Sequence, residues 1–201
     1  MLRAIRTFAW LAVAALATAA AYVAFTTGPD LANGRRLPLS AGVGGPFTLT
    51  THEGGRLSDS DLKGKPFALF FGFTYCPDVC PTSLLDMTNL IKDLGPDAAR
   101  MRFIFVSVDP ERDTPEQLKL YMSSFDPAII ALTGTPAEIA ETARVYRATY
   151  EKVPTSSDYT INHTATTYLM DHEGRFVGTI AYQEAHDTAL AKLRRLIAST
   201  R

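Results

Sequence analysis

The sequence predicts a layered α/β domain in which helices flank a mixed central β-sheet. Three observations lead to this prediction. Apolar runs of strand length alternate with amphipathic segments of helix length. Helix starts are marked at 114–117 and 135–138 by Thr-Pro pairs with an amide or acidic residue at the third helical position. Hydrophobic residues make up 46% of the 201 positions, which is enough for a sizeable core.

The first 27 residues are expected to meet a membrane. Residues 8–25 form an apolar run that follows Arg3 and Arg6. At ~1.5 Å per residue the run approaches a bilayer span, so we expect residues 1–27 to be an uncleaved anchor. A cleaved signal peptide is the alternative, because small residues at 17–21 offer cleavage sites. Under either interpretation the following domain is exported.

A polar stretch at 28–40, with Gly, Pro, Asn and Arg, predicts a linker to a folded domain at 41–201. This domain is expected to open with a small hairpin. Extended segments at 47–50 and 56–57 flank the turn sequence His52-Glu53-Gly54-Gly55.

The only two cysteines, Cys76 and Cys80, follow a buried strand predicted at 67–72. Each cysteine precedes a proline, and a residue before proline is disfavoured in the helical region. We therefore expect the pair on a loop, with Cys80 at the N-cap of a helix opened by Pro81. The unpaired N–H groups and the helix dipole at that end should lower the pKa of Cys80.

The remaining elements alternate between strand and helix. The predicted order is strand 67–72, helix 82–94, strand 102–109, a helix from 114, strand 129–132, helix 135–149, strand 165–171, strand 175–182 and helix 187–198. This order, with a cysteine pair after the first long strand, resembles the thioredoxin fold with an N-terminal hairpin and an insertion. On that fold the segment 158–166 lies beside the cysteine turn, and His163 belongs to this segment.

Two thiolates and one imidazole suit Cu(I), Cu(II) or zinc, and the soft sulfur ligands favour copper. Cysteines one helical turn apart hold their Cβ atoms ~5–6 Å apart, whereas a disulfide needs ~3.5–4.5 Å. Cys76 and Cys80 are therefore expected to bind a metal easily and to form a disulfide with some rearrangement. Metal chemistry and redox chemistry both remain open at this point.

Other candidate residues carry weaker signals. Three histidines lie in turns or at a helix start and are expected to be solvated rather than ligating: His52, His172 and His186. Four methionines lie within predicted elements and are expected to fill the core: Met87, Met101, Met122 and Met170. Asp78 and Asp109 are each interpreted either as groups that assist the site or as turn residues.

Three stretches resemble the Sco/SenC family. They are Gly-Phe-Thr-Tyr-Cys-Pro-Asp-Val-Cys-Pro at 72–81, Ser-Val-Asp-Pro-Glu-Arg-Asp at 107–113, and 158–163 with 168–171. The resemblance implies a membrane-tethered, thioredoxin-like copper protein with Cys76, Cys80 and His163 as copper ligands. Thioredoxin enzymes carry a cis-proline facing the cysteines, whereas this chain has Thr-Ala-Thr at 164–166. That difference favours a metal site.

The implied function is that of a copper metallochaperone for the binuclear copper (CuA) site of cytochrome c oxidase, rather than that of an enzyme. Its partners would be the copper-site subunit of the oxidase, a copper donor and a thiol reductant. The alternative is a thiol-disulfide oxidoreductase that reduces the cysteines of the copper-site apoprotein through Cys76 and Cys80. The expected location is the bacterial inner membrane, single-pass, with the domain in the periplasm. A net charge of −1 without a basic stripe argues against nucleic acid.

Overall fold

The computed structural model describes Thr18 and residues 42–199 of the chain. Nine strands are found between residues 42 and 199: β1 (Thr48–Thr51), β2 (Arg56–Ser58), β3 (Phe67–Gly72), β4 (Arg102–Ser107), β5 (Ile129–Thr133), β6 (Tyr150–Pro154), β7 (Tyr159–His163), β8 (Thr167–Met170) and β9 (Phe176–Ile180). Five α-helices lie in the same range: α1 (Asp59–Leu62), α2 (Val79–Leu94), α3 (Pro115–Met122), α4 (Pro136–Val145) and α5 (His186–Ala198). A 3-10 helix, Gly95–Arg100, follows α2.

The predicted anchor at 1–27 and linker at 28–40 lie, apart from Thr18, outside the described residues. Among the described residues, no helix has the length and apolar character that a bilayer crossing requires.

Seven strands form one mixed sheet in the order β2-β1-β5-β4-β3-β8-β9, which confirms the predicted α/β class. The interior strand β3 pairs in parallel with β4 and antiparallel with β8. All six residues of β3 are buried, as expected for a strand covered on both faces. The predicted hairpin is confirmed as β1 and β2, and β1 also pairs with β5. The cysteine segment therefore follows directly from a strand that is buried in the interior of the sheet.

Strands β6 and β7 form a separate two-stranded sheet that the sequence analysis did not predict. The predicted helix 135–149 ends at Val145 instead, so the residues after it are free to form β6. Arg147 adopts a left-handed φ of 54°, and Ala148 N–H bonds back to the Ala143 carbonyl oxygen at 2.9 Å. The left-handed residue that follows a helix is usually glycine. This chain has arginine there, so the usual sequence signal for a helix end is missing.

The starts of α3 and α4 follow their sequence signals. Thr135 forms a complete capping box with Glu138 at the start of α4. At the start of α3, the Thr114 side chain accepts a hydrogen bond from Gln117 N–H. The four methionines expected in the core are all buried, which confirms that prediction: Met87, Met101, Met122 and Met170.

Gly72, the last residue of β3, allows a close approach that a larger residue would prevent. A Cβ atom there would lie 2.7 Å from Cε2 of Phe105 and 2.8 Å from Sγ of Cys80. Both distances are well inside van der Waals contact, so the absence of a side chain makes room for the Cys80 sulfur against the sheet.

We predict that Gly72→Ala lowers the free energy of unfolding by roughly 1–3 kcal/mol, because the added methyl overpacks the space beside Phe105 and Cys80. Urea denaturation of the full-length chain measures this change. Gly178→Ala in β9 is the matched control, since a Cβ there meets nothing within 4 Å. Equal stability of the two variants would contradict the prediction.

Candidate metal centre

The cysteine segment is held in place by Asp113, a fully buried carboxylate that the sequence analysis did not single out. Asp113 accepts hydrogen bonds from the Thr74 backbone N–H at 3.0 Å and the Thr74 hydroxyl at 2.6 Å. It also accepts from the Ser107 hydroxyl at 2.5 Å. Burial raises the pKa of Asp113, and these three donors oppose that effect. Asp113 thereby ties the segment before Cys76 to the end of β4.

Helix α2 begins at Val79 with Asp78 at the N-cap, so the prediction that Cys80 is the N-cap residue is wrong. Cys80 instead lies inside the first helical turn. A proline disfavours helical geometry in the residue before it but does not forbid it. Pro81 also sits where its missing N–H would have had no intrahelical partner. Cys76 lies on the loop, as predicted.

The structure brings together the three predicted ligands. The Cys76 and Cys80 sulfurs and a ring nitrogen of His163 all lie within 4.8 Å of one another. The Cys80 sulfur is 3.3 Å from Nε2 of His163, and the Cys80 backbone N–H points to the Cys76 sulfur at 3.4 Å. Both cysteines are free thiols. This donor set matches the chemistry of a soft metal ion.

His163, the last residue of β7, is oriented by its second ring nitrogen. Nδ1 lies 3.1 Å from the Thr164 carbonyl oxygen, and a carbonyl can only accept, so Nδ1 carries the proton. In the neutral ring Nε2 then presents its lone pair to the sulfurs, as a metal ligand must. The rings of Phe70 and Phe73 make edge contacts with the imidazole at centroid distances of 6.0 and 5.8 Å.

The pKa values of the two cysteines differ in the opposite sense to the prediction: the pKa of Cys76 is lowered and that of Cys80 is raised. The pKa of Cys76 is well below its usual range because its thiolate accepts a hydrogen bond from the Cys80 thiol. The backbone N–H groups of Asp78 and Cys80 also stabilise this thiolate. The pKa of Cys80 is raised by the same contact with Cys76 and by burial. The predicted lowering at Cys80 is wrong because Cys80 is fully buried and its neighbour takes the charge first.

The two aspartates of uncertain role lie outside this ligand group. Asp78 is exposed, and its side chain makes no capping hydrogen bond. Asp109 is fully buried and accepts a hydrogen bond from the Tyr159 hydroxyl at 2.7 Å. It also pairs with Arg112. Asp109 is therefore part of a charged cluster beside the site rather than a simple turn residue.

The histidines set aside as non-ligands also lie outside the group, although one of them is not solvated. The Ala131 backbone N–H donates to Nδ1 of His52 at 3.1 Å, where β5 passes the end of β1. The His52 side chain is 16% exposed. His186 pairs with Asp93 at 2.8 Å and links α5 to α2. The turn sequence around His52 therefore predicted a solvated side chain, whereas His52 contacts β5 of the sheet.

Together, the fold and the site define a thioredoxin-like protein whose cysteine pair is joined by a histidine in a soft metal-ligand group. A family model described as SCO1/SenC matches residues 36–198. The chain therefore belongs to the SCO1/SenC family.

Relatives and solved structures agree with this membership. The chain is 40% identical over 162 residues to Protein SCO2, mitochondrial, of Saccharomyces cerevisiae, which covers 79% of this chain and 54% of the relative. It is 50% identical to Bradyrhizobium japonicum ScoI with copper bound, with a TM-score of 0.73, 77% of this chain covered and 99% of that one. Arabidopsis thaliana ScoI with copper bound is 38% identical, with a TM-score of 0.73, 78% of this chain covered and 99% of that one. The chain spans about half the length of the curated relatives it matches.

We predict that iodoacetamide alkylates Cys76 much faster than Cys80, because Cys76 is partly exposed and favours the thiolate whereas Cys80 is buried and protonated. Since the pKa of Cys76 is lowered, its rate should stay nearly flat between about pH 6 and 8, where a free thiol gains reactivity steeply. Peptide mapping by mass spectrometry measures both rates in the metal-free, full-length chain. A Cys76 rate that climbed like that of a free thiol would contradict the assignment.

Proposed function

We propose that this chain is a copper metallochaperone that binds copper through Cys76, Cys80 and His163. Its cargo would go to the binuclear copper (CuA) site of cytochrome c oxidase, in the copper-site subunit. The observation that carries the proposal is the convergence of two sulfurs and one imidazole nitrogen within 4.8 Å. Copper bound in two similar ScoI structures supports the choice of metal.

The burial of the three ligands supports a transfer by ligand exchange. Cys80 is fully buried, whereas Cys76 is partly exposed and is the sulfur that an incoming ligand reaches first. Copper, as Cu(I) or Cu(II), would take the place of the proton on Cys80, because a thiol must lose its proton to ligate. Three protein ligands leave room for a fourth from the partner. Cys80 and His163 would hold the ion while Cys76 is exchanged.

The second candidate function is thiol-disulfide oxidoreduction. The lowered pKa of Cys76, its partial exposure and the adjacent Cys80 thiol suit a nucleophilic cysteine with a resolving partner. In that function the chain would reduce a disulfide in the copper-site apoprotein and would itself become the Cys76–Cys80 disulfide. Thr164, Ala165 and Thr166 stand where thioredoxin enzymes carry a proline, which favours the metallochaperone.

For location, we propose the periplasmic face of the bacterial inner membrane, with residues 1–27 as a single-pass anchor and 28–40 as the linker. The apolar run at 8–25 that follows Arg3 and Arg6 supports this arrangement. A copper donor and a thiol reductant would act on the domain in that compartment.

We predict that the full-length chain binds one copper ion and that His163→Ala lowers its affinity by about tenfold or more, since even outer-shell changes commonly cost tenfold to a hundredfold. Competition with a chelator of known affinity measures the change. His172→Ala is the matched control, because His172 lies in the turn between β8 and β9. Unchanged stoichiometry and affinity in His163→Ala would remove His163 from the ligand set.

We predict that the Cys76–Cys80 pair is a poor reductant. Stabilising the Cys76 thiolate stabilises the reduced form, and this raises the reduction potential of the pair. The measurement is an equilibrium between the reduced chain and an oxidised copper-site peptide, with Cys76→Ser as the inactive control. A potential about 30 mV or more below that of the peptide disulfide would favour peptide reduction about tenfold and would support the oxidoreductase function instead.

A further inference from the structure

Arg112 lies between the two parts of the molecule that carry the metal ligands. We infer that Arg112 is a positioning residue for copper binding, because it joins the loop of Cys76 to the β6–β7 hairpin and so holds His163 against the two sulfurs. This inference rests on the proposed function for its effect on copper, whereas its effect on the hairpin can be measured without metal.

On the hairpin side, Arg112 makes two hydrogen bonds and a ring contact. Its Nη1 donates to Oδ2 of Asp158 at 2.9 Å and to the Tyr159 carbonyl oxygen at 3.1 Å. Its guanidinium carbon lies 3.7 Å from the centroid of the Tyr159 ring, within the range of a cation–π contact. These contacts hold the start of β7, the strand that ends at His163.

On the cysteine side, the same guanidinium carbon lies 4.6 Å from the centroid of the Tyr75 ring. Tyr75 immediately precedes Cys76. One planar cation therefore contacts an aromatic ring from each of the two ligand-bearing segments. A lysine could not reproduce this arrangement, because an ammonium group lacks the flat, forked shape that stacks on rings and donates in several directions.

Arg112 is itself firmly anchored. Its Nε donates to Oδ2 of Asp109, which is fully buried, and the Tyr159 hydroxyl donates to Oδ1 of the same carboxylate at 2.7 Å. The Arg112 side chain is only 15% exposed, so these charges are poorly screened by water. Because Asp109 and Arg112 follow β4, the joining residue belongs to the frame of the seven-stranded sheet.

The hairpin has few other polar attachments to the rest of the domain, although Tyr150 and Tyr159 pack against the core. Its strands pair only with each other, and Ile161 is the one fully buried residue between residues 150 and 163. Lys152 pairs with Glu111 at 2.6 Å, but both side chains are well exposed. His163 lies at the far end of this sheet from Tyr159, in edge contact with the rings of Phe70 and Phe73. A partly buried, anchored cation is therefore the strongest polar restraint on its position.

The metal-free test measures amide hydrogen exchange in the full-length chain and in two variants. Arg112→Gln removes the joining residue. The double variant Asp109→Asn/Arg112→Gln does the same without leaving a buried charge unpaired. Arg175→Gln is the matched control, because Arg175 also pairs with two acids but lies in the turn between β8 and β9.

We predict that the amides of β6 and β7 exchange about tenfold faster in both Arg112 variants, while those of β3 and β8 keep their protection. In the Arg175→Gln control, the amides of β6 and β7 should exchange at the same rate as in the unmodified chain. Unchanged protection of β6 and β7 would overturn the inference, whatever copper does. General loss of protection in the single variant would be a folding defect, and the double variant would then decide.

The copper test asks whether the effect passes through His163. Both Arg112 variants should lose about tenfold to a hundredfold in copper affinity, as for other outer-shell residues. In a His163→Ala background the same changes should alter affinity less than about twofold, because the ligand that Arg112 positions is already gone. With Cu(II) loaded, electron paramagnetic resonance should show weaker nitrogen coupling from the imidazole.

Equal losses in the two backgrounds, or full nitrogen coupling in the Arg112 variants, would overturn the positioning role. Failure of the unmodified chain to bind copper, or a silent His163→Ala, would instead count against the proposed function. In that case hydrogen exchange alone decides whether Arg112 holds the hairpin, so the two failures are distinguishable.

Discussion

The approach of the Cys80 sulfur to Nε2 of His163, at 3.3 Å, is the interaction on which the site depends. It joins two sheets that share no strand pairing among the described residues. Placing a thiol and an imidazole together in a partly buried position costs solvation, and the surrounding contacts must compensate for that cost. Gly72 leaves the space for the sulfur, and the Thr164 carbonyl accepts from the other ring nitrogen of His163. Each of these features would have little purpose without the contact.

Burial and the contact between the two sulfurs explain why the two cysteines are chemically different. Cys80 lies against the sheet without solvent, so a negative charge on it has little support until a cation arrives. Cys76 lies on the loop and accepts from backbone N–H groups, so it carries charge in the metal-free chain. Under the proposed function, copper binding displaces one proton, and this proton leaves from the more buried sulfur. This couples the uptake of a cation to the loss of a proton at a single buried atom.

Local signals in the sequence were sufficient for the frame of the fold but not for the surroundings of the ligands. The buried apolar run of β3 and the capping residue Thr135 each depend on a few neighbouring residues, so strand β3 and the start of α4 could be predicted from the sequence. The β6–β7 hairpin could not be predicted, because α4 ends at Val145 and the left-handed residue that follows it is Arg147 rather than glycine. Cys76 and Cys80 were predictable because they are the only two cysteines in the sequence, and His163 because the thioredoxin fold that the sequence resembles places its segment beside the cysteine turn. The contacts of Arg112 with Tyr75 and Tyr159 join residues far apart in the chain, and no local pattern encodes them.

The hairpin also explains how a thioredoxin-like frame can be turned from redox chemistry towards metal binding. The helix start and the cysteine loop belong to the shared frame, whereas the third proposed ligand, His163, comes from a separate two-stranded sheet. Two sulfurs alone can either close into a disulfide or share a metal, and the choice depends on what else is within reach. An imidazole held at bonding distance favours the metal, because it adds a donor that a disulfide cannot use. Under the proposed function, the preference for metal depends on how firmly the hairpin holds His163, and the inferred role of Arg112 would let a residue that does not touch the metal tune it.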